Sequence, residues 1–146
     1  MQNTKKGNIK VTLTNQQCLA KYLGCTPEEL TEERNGAYSY GREEYLVLTD
    51  SEAEESAKDY ILDSLWAFNY DFLCGHSKAI AEIPKEDYEA MAGKLCESFN
   101  NAVKAMIDNL DHFIDDAIKA DGRGHFISAY DGEENEEGEY FIYRIN

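Results

Sequence analysis

Thr49-Asp50-Ser51-Glu52-Ala53-Glu54-Glu55-Ser56-Ala57-Lys58-Asp59-Tyr60-Ile61-Leu62-Asp63-Ser64-Leu65-Trp66-Ala67-Phe68 is the stretch that decides the fold. Thr49 and Glu52 stand at capping-box spacing, and Leu48 and Ala53 are placed as the accompanying hydrophobic staple. Ala53, Ala57, Tyr60, Ile61, Leu65, Phe68 and Phe72 then recur at steps of three and four, the period of one helix face. The spacing predicts an amphipathic helix over residues 50–74, about six turns long and ending before Gly75. A one-sided apolar helix of that length needs a second layer to cover it.

Downstream, Pro84 opens a second helical run. Tyr88, Met91, Leu95, Phe99, Val103, Met106, Leu110, Phe113 and Ala117 hold helical period up to Asp121-Gly122. Unbroken, it would span on the order of 50 Å, with Gly93 and Asn100-Asn101 as weak points. The chain then closes on two strand-like runs, His125–Tyr130 and Tyr140–Ile145, around the acidic loop Asp131–Glu139. Both faces of Tyr140–Ile145 are apolar, which suits a central strand or an interface.

Upstream, residues 8–13 alternate Ile9, Val11 and Leu13 with polar residues and predict a strand. Thr14 and Gln17 have capping-box spacing, Cys18, Leu19, Tyr22 and Leu23 form a stripe, and Gly24 stops it. Thr26 and Pro27 then start a short second helix that Asn35-Gly36 ends. Leu19–Leu30 thus resembles the opening of a helix-turn-helix. Its second helix, however, carries Glu28, Glu29, Glu32 and Glu33 against Arg34, a charge that opposes DNA, so an αα-corner is expected. Residues 37–48 suit a strand or a hairpin around Gly41. The expected architecture is α+β, a single domain over residues 1–146. In it two long amphipathic helices pack on a small antiparallel sheet formed from 8–13, 37–48 and a C-terminal β-hairpin.

Composition narrows the function classes. The chain carries 29 acidic against 14 basic side chains. Residues 1–27 hold Lys5, Lys6, Lys10 and Lys21 and no acid, so the excess lies entirely in 28–146. Such a field repels phosphate backbones and attracts basic surfaces. No direct nucleic-acid binding is expected, and a basic protein partner becomes the leading idea. The 42% apolar content and ten Tyr argue for a folded core. No apolar run approaches ~18 residues and the N-terminus lacks a signal-peptide core, so a cytoplasmic protein without membrane contact is expected. Cys18, Cys25, Cys74 and Cys96 form no C-x-x-C pair and are expected as reduced thiols.

Glu52, Glu55, Asp59 and Asp63 follow steps of three, four and four, which lines them up on one helix face with a carboxylate every ~5–6 Å. Asp108, Asp111 and Asp115 repeat the arrangement on the second run. Two such rows resemble the paired phosphate lines that a Lys- and Arg-lined channel accepts; the other reading is a solvated face. Asp121-Gly122-Arg123-Gly124-His125 is the most site-like segment. Arg123 and His125 suit anion binding or proton transfer, but Gly122 also suits a helix C-cap, with Arg123 paired to an acid. Cys74-x-His76 with His112 or His125 is a zinc fragment far below the specificity of paired C-x-x-C motifs, and Asp131, Glu133, Asn135 and Glu137 match a calcium loop only at its start. No metal or cofactor is therefore expected.

Three stretches resemble a group of small acidic proteins of bacteriophages and prophages: Arg42–Ala53, Asp121–His125 running into Ala129–Glu134, and Tyr140–Asn146. They cover about a fifth of the chain. The resemblance implies a phage setting inside a bacterial host cell, where such proteins often block defence nucleases. The resulting expectation is a non-enzymatic inhibitor of a host CRISPR effector or restriction enzyme, an anti-CRISPR or antirestriction DNA mimic using the two acidic rows. The alternatives are a small hydrolase or nucleotide-binding protein using Arg123 and His125, and a phage accessory or assembly protein forming a homo-oligomer.

Overall fold

In a computed structural model, residues 12–146 are described. Thr14 opens helix α1, Asn15–Leu23, through both halves of its capping box: its hydroxyl accepts from the Gln17 amide at 3.1 Å and its own amide donates to the Gln17 side chain at 2.9 Å. Gly24 ends α1 in the left-handed region at φ 75°, where a side chain would be strained. Strands β1 (Thr31–Arg34), β2 (Ala37–Tyr40) and β3 (Glu43–Leu48) follow. After the helical region come β4 (Asn135–Glu137) and β5 (Tyr140–Arg144). All neighbours pair antiparallel in the order β1-β2-β3-β5-β4, which makes an α+β fold with a C-terminal β-hairpin.

The described residues form two compact units, residues 12–51 with Ser128–Asn146, and Glu52–Ile127. In the first, β5 is an interior strand, and its neighbours Ile142 and Tyr143, pointing to opposite faces, are both fully buried. That accounts for the two apolar faces of Tyr140–Ile145. Leu19 and Ala20 of α1 pack with Leu30, Tyr38, Tyr45, Val47 and Ile142 into one cluster. The Tyr38 hydroxyl is satisfied at its rim by Asn15, at 2.8 Å.

Two local expectations here need correcting. The short helix after Thr26 is one 3-10 turn, Pro27–Glu29, so α1 leads into a strand and no αα-corner forms. Glu29 closes that turn at once by accepting from the Thr26 amide at 2.8 Å, and every residue of β1 is exposed, leaving no apolar stripe to hold a helix. His125–Tyr130 is not the first hairpin strand. Arg123–Ile127 is instead a short helix, with Phe126 and Ile127 both buried. The strand expected over 8–13 lies largely outside the described residues.

In the second unit both helical runs are segmented. Helix α2 spans Asp50–Asp63, starting where Thr49 predicts, and buries Ala53, Ala57 and Ile61. It stops early because Asn100 intervenes: its amide donates to the Asp63 carbonyl at 2.6 Å while its side-chain oxygen accepts from the Trp66 amide at 2.9 Å. A 3-10 turn, Leu65–Ala67, follows, and Asn69 caps α3, Tyr70–Cys74, by accepting from the amides of Asp71 and Phe72. Ser77 caps α4, Lys78–Ala81. The run from Pro84 is divided into α5 (Lys85–Leu95), α6 (Asn100–Met106) and α7 (Leu110–Asp121), and α8 (Arg123–Ile127) follows it. Phe68, Phe72, Phe113 and Phe126 form an aromatic cluster, with the Phe113 ring tilted against Phe68 at 5.1 Å and edge-on to Phe72 at 5.4 Å.

The break after α5 lies at Cys96, between the two weak points read from the sequence. Its φ of 50° and ψ of −130° are a conformation that glycine takes readily and other residues take at a cost of ~1–3 kcal/mol. The side chain is exposed, so little packing is lost on its removal. Cys96→Gly should therefore raise stability by about 1 kcal/mol, after allowing for glycine's greater unfolded-state entropy. A denaturation midpoint lower than that of the parent would show that the turn is not strained.

Candidate functional site

The first acidic row is presented as a row. Glu52, Glu55, Asp59 and Asp63 are all exposed along α2. At about 100° per residue they fall within an arc of about 80°, centred roughly 160° away from the stripe of Ala53, Ala57 and Ile61. The burial of that stripe fixes the helix's rotation and holds the carboxylates out in water. Glu54, on the other flank, faces Arg123.

The second row is shorter than its spacing suggests. Asp111 and Asp115 are exposed one turn apart on α7, but Asp108 precedes the helix. Ile107 is extended at φ −74° and ψ 127°, and Asn109 restarts the helix by accepting from the His112 amide at 3.1 Å. The Asp108 carboxylate accepts from the Lys78 amide at 3.2 Å, which gives it a structural task.

Arg123 and His125 are parted. The Arg123 guanidinium donates to Glu54 at 3.2 Å, and its side chain is only 9% exposed. His125 instead lines a cavity of about 380 Å³, together with Asp121 and the rings of Tyr60, Phe68, Phe72 and Phe126. Gly122 caps α7 with φ 85°, its amide donating to the Ile118 carbonyl at 2.6 Å, as the C-cap reading predicts. Arg123→Ala removes an ion pair and a buried alkyl stem, so it should cost about 0.5–3 kcal/mol. Any inhibitory activity of the folded fraction should be unchanged. Activity lost at an unchanged melting temperature would instead assign Arg123 to a functional site.

A third cluster joins residues that the zinc fragment only partly names. His76 and His112 each place an imidazole Nε2 3.3 Å from the same oxygen, Oδ2 of Asp116. Their rings meet edge to face, with centroids 5.4 Å apart. Cys74 is not in this group, and His125 lies at the cavity described above.

No family model, curated protein or solved structure matches this chain.

The remaining polar segment is committed to the fold. The Asp131 carboxylate accepts from the Ser128 hydroxyl and the Glu133 amide, both at 3.0 Å, while Asn135 and Glu137 belong to β4. The calcium-like alternation of this loop is therefore turn and strand. Burial and the nearby Glu137 raise the Cys18 thiol above its ordinary range, which keeps it a protonated core group. The residue that sequence reasoning missed is Asp116. Its signal was the four-residue step from His112, one helical turn, which matters only once His76 is seen to arrive from elsewhere.

Proposed function

We propose that this chain is a non-enzymatic inhibitor that binds a basic protein surface, and that its target is a host nucleic-acid-handling defence complex. The observation that carries the reading is the row Glu52, Glu55, Asp59 and Asp63, exposed together and held out by the buried stripe of α2. Asp111 and Asp115 add a second, shorter patch of the same sign. Carboxylates at one-turn intervals offer a Lys- and Arg-lined channel a line of negative charge, sparser than a phosphate strand, without bases to be read or a backbone to be cut. The phage setting and the choice of a CRISPR effector or restriction enzyme rest on the sequence resemblance alone.

The test is DNA cleavage by a purified defence nuclease of the host, followed while this chain is added at low and at raised salt. Inhibition should be strong at low ionic strength and fall steeply as salt screens the contact. Inhibition that ignores salt, or none against any such nuclease of the host, would remove the proposal.

A further inference from the structure

We propose that His76, His112 and Asp116 form a binding site for one divalent transition-metal ion of the Zn²⁺ class. His112 and Asp116 project from one side of α7, a single turn apart, and His76 arrives from the turn between α3 and α4. One ligand atom from each lies within 4.8 Å of the others. Nitrogen and oxygen ligands about 2.0–2.2 Å from a tetrahedral ion stand about 3.3–3.5 Å from one another. Both histidine–aspartate edges already have that length, at 3.3 Å. As plain N–H···O hydrogen bonds the same contacts would be long, the usual value being about 2.9–3.0 Å. The histidine–histidine edge is the one left to close, and the exposed His112 ring can swing about its side-chain torsions to do so.

The frame that holds His76 is built independently of the ion. The Asp108 amide donates to the His76 carbonyl at 2.9 Å, and the buried Ser77 hydroxyl donates to the Met106 carbonyl at 2.6 Å. The Asp108 carboxylate accepts from Lys78 on the far side of the same turn. Residues 76–78 are thus clamped to the segment leading into α7, which carries the other two ligands. The His76 ring is further fixed against Phe72 and Phe113, at 5.2 Å and 5.3 Å. A ligand held by neighbours that are not themselves ligands is a preorganised one.

Ligand chemistry selects the ion. Two imidazoles and one carboxylate favour Zn²⁺ and its first-row neighbours over Mg²⁺ and Ca²⁺, which prefer oxygen throughout. Side-chain exposure rises from 12% at His76 to 35% at Asp116 and 63% at His112, so the cluster is closed on its aromatic side and open on the other. A fourth position would therefore face solvent, as in open zinc sites with three protein ligands. Asp111 and Asp115, at other angles on the same helix, take no part.

The test uses the full chain without a polyhistidine tag, stripped with a chelator and then freed of it. Calorimetric titration with Zn²⁺ should show one equivalent bound, and Co²⁺ at the same site should show the visible bands of a four-coordinate ion. Saturating Zn²⁺ should raise the melting temperature, since the unfolded chain has no such site. His112→Ala removes an exposed side chain and should fold as the parent does, yet lose affinity more than about 100-fold, beyond the usual effect of an outer-shell partner. Asp116→Asn should lose affinity likewise, while Asp111→Asn and His125→Ala should keep it. No stoichiometric binding to the folded parent, or unchanged affinity in both His112→Ala and Asp116→Asn, would overturn the site.

Discussion

Leu65→Ala is expected to lower the unfolding free energy of the helical unit by ~2–5 kcal/mol, the range for truncating a fully buried leucine. The loss should fall in the upper part of that range, because the surroundings cannot collapse into the space. Leu65 begins the 3-10 turn after α2, where the chain is held from both sides. Asn100 grips the Asp63 carbonyl and the Trp66 amide, and the Phe68 amide donates to the Leu65 carbonyl at 3.1 Å. Urea unfolding followed by far-ultraviolet circular dichroism measures the change. A loss below about 1 kcal/mol would mean that the turn relaxes and that the pinning by Asn100 is weak.

The same turn marks where the sequence stops being legible. The start at Thr49, the stripe of Ala53, Ala57, Ile61 and Leu65, the box of Thr14 with Gln17 and the hairpin at Gly41 are local signals. Residues within four positions of one another decide each of them. The end of α2 is decided by Asn100, 37 positions after Asp63. Period alone cannot reveal such a partner: the apolar spacing runs on through Leu65 and Phe68 while the helix does not. Asn69 and Asn109 are capping residues, and each could have been read as a start inside the two long runs. The continuous apolar period masked them. β1 was hidden for the opposite reason, because an edge strand with every residue exposed carries no alternation and is specified by its pairing to β2.

Candidate sites divide in the same way. The row on α2 is a local pattern on a local element, so spacing placed all four carboxylates correctly. Asp108 fails because the helix it was counted on begins two residues later, at Leu110. Arg123 was legible as an acid's partner, since Gly122 is a strong stop and acids outnumber bases two to one, but Glu54 as that acid was not. His76 and Asp116 lie 40 residues apart and meet only because Ser77 and Asp108 tie two loops together.

Replacing Glu55, Asp59 and Asp63 together by lysine should slow association with the basic partner by about 10–1,000-fold at low salt, the range over which charge steering acts. The change moves the local charge by six units at three exposed positions. No single reversal should abolish binding, because each exposed pair contributes only ~0–1 kcal/mol. The fold should survive. These side chains lie opposite the buried stripe of α2, and a cation in place of Asp63 suits the negative end of the helix. Lysines at four-residue steps repel as the carboxylates did, by a few tenths of a kcal/mol. Stopped-flow association at two ionic strengths separates the outcomes. Steering by this face predicts a lower rate and a shallower salt dependence, with dissociation little altered. A triple variant that folds, associates at the parent rate and inhibits at full strength would sink the mimic, leaving the acid of α2 to solubility alone.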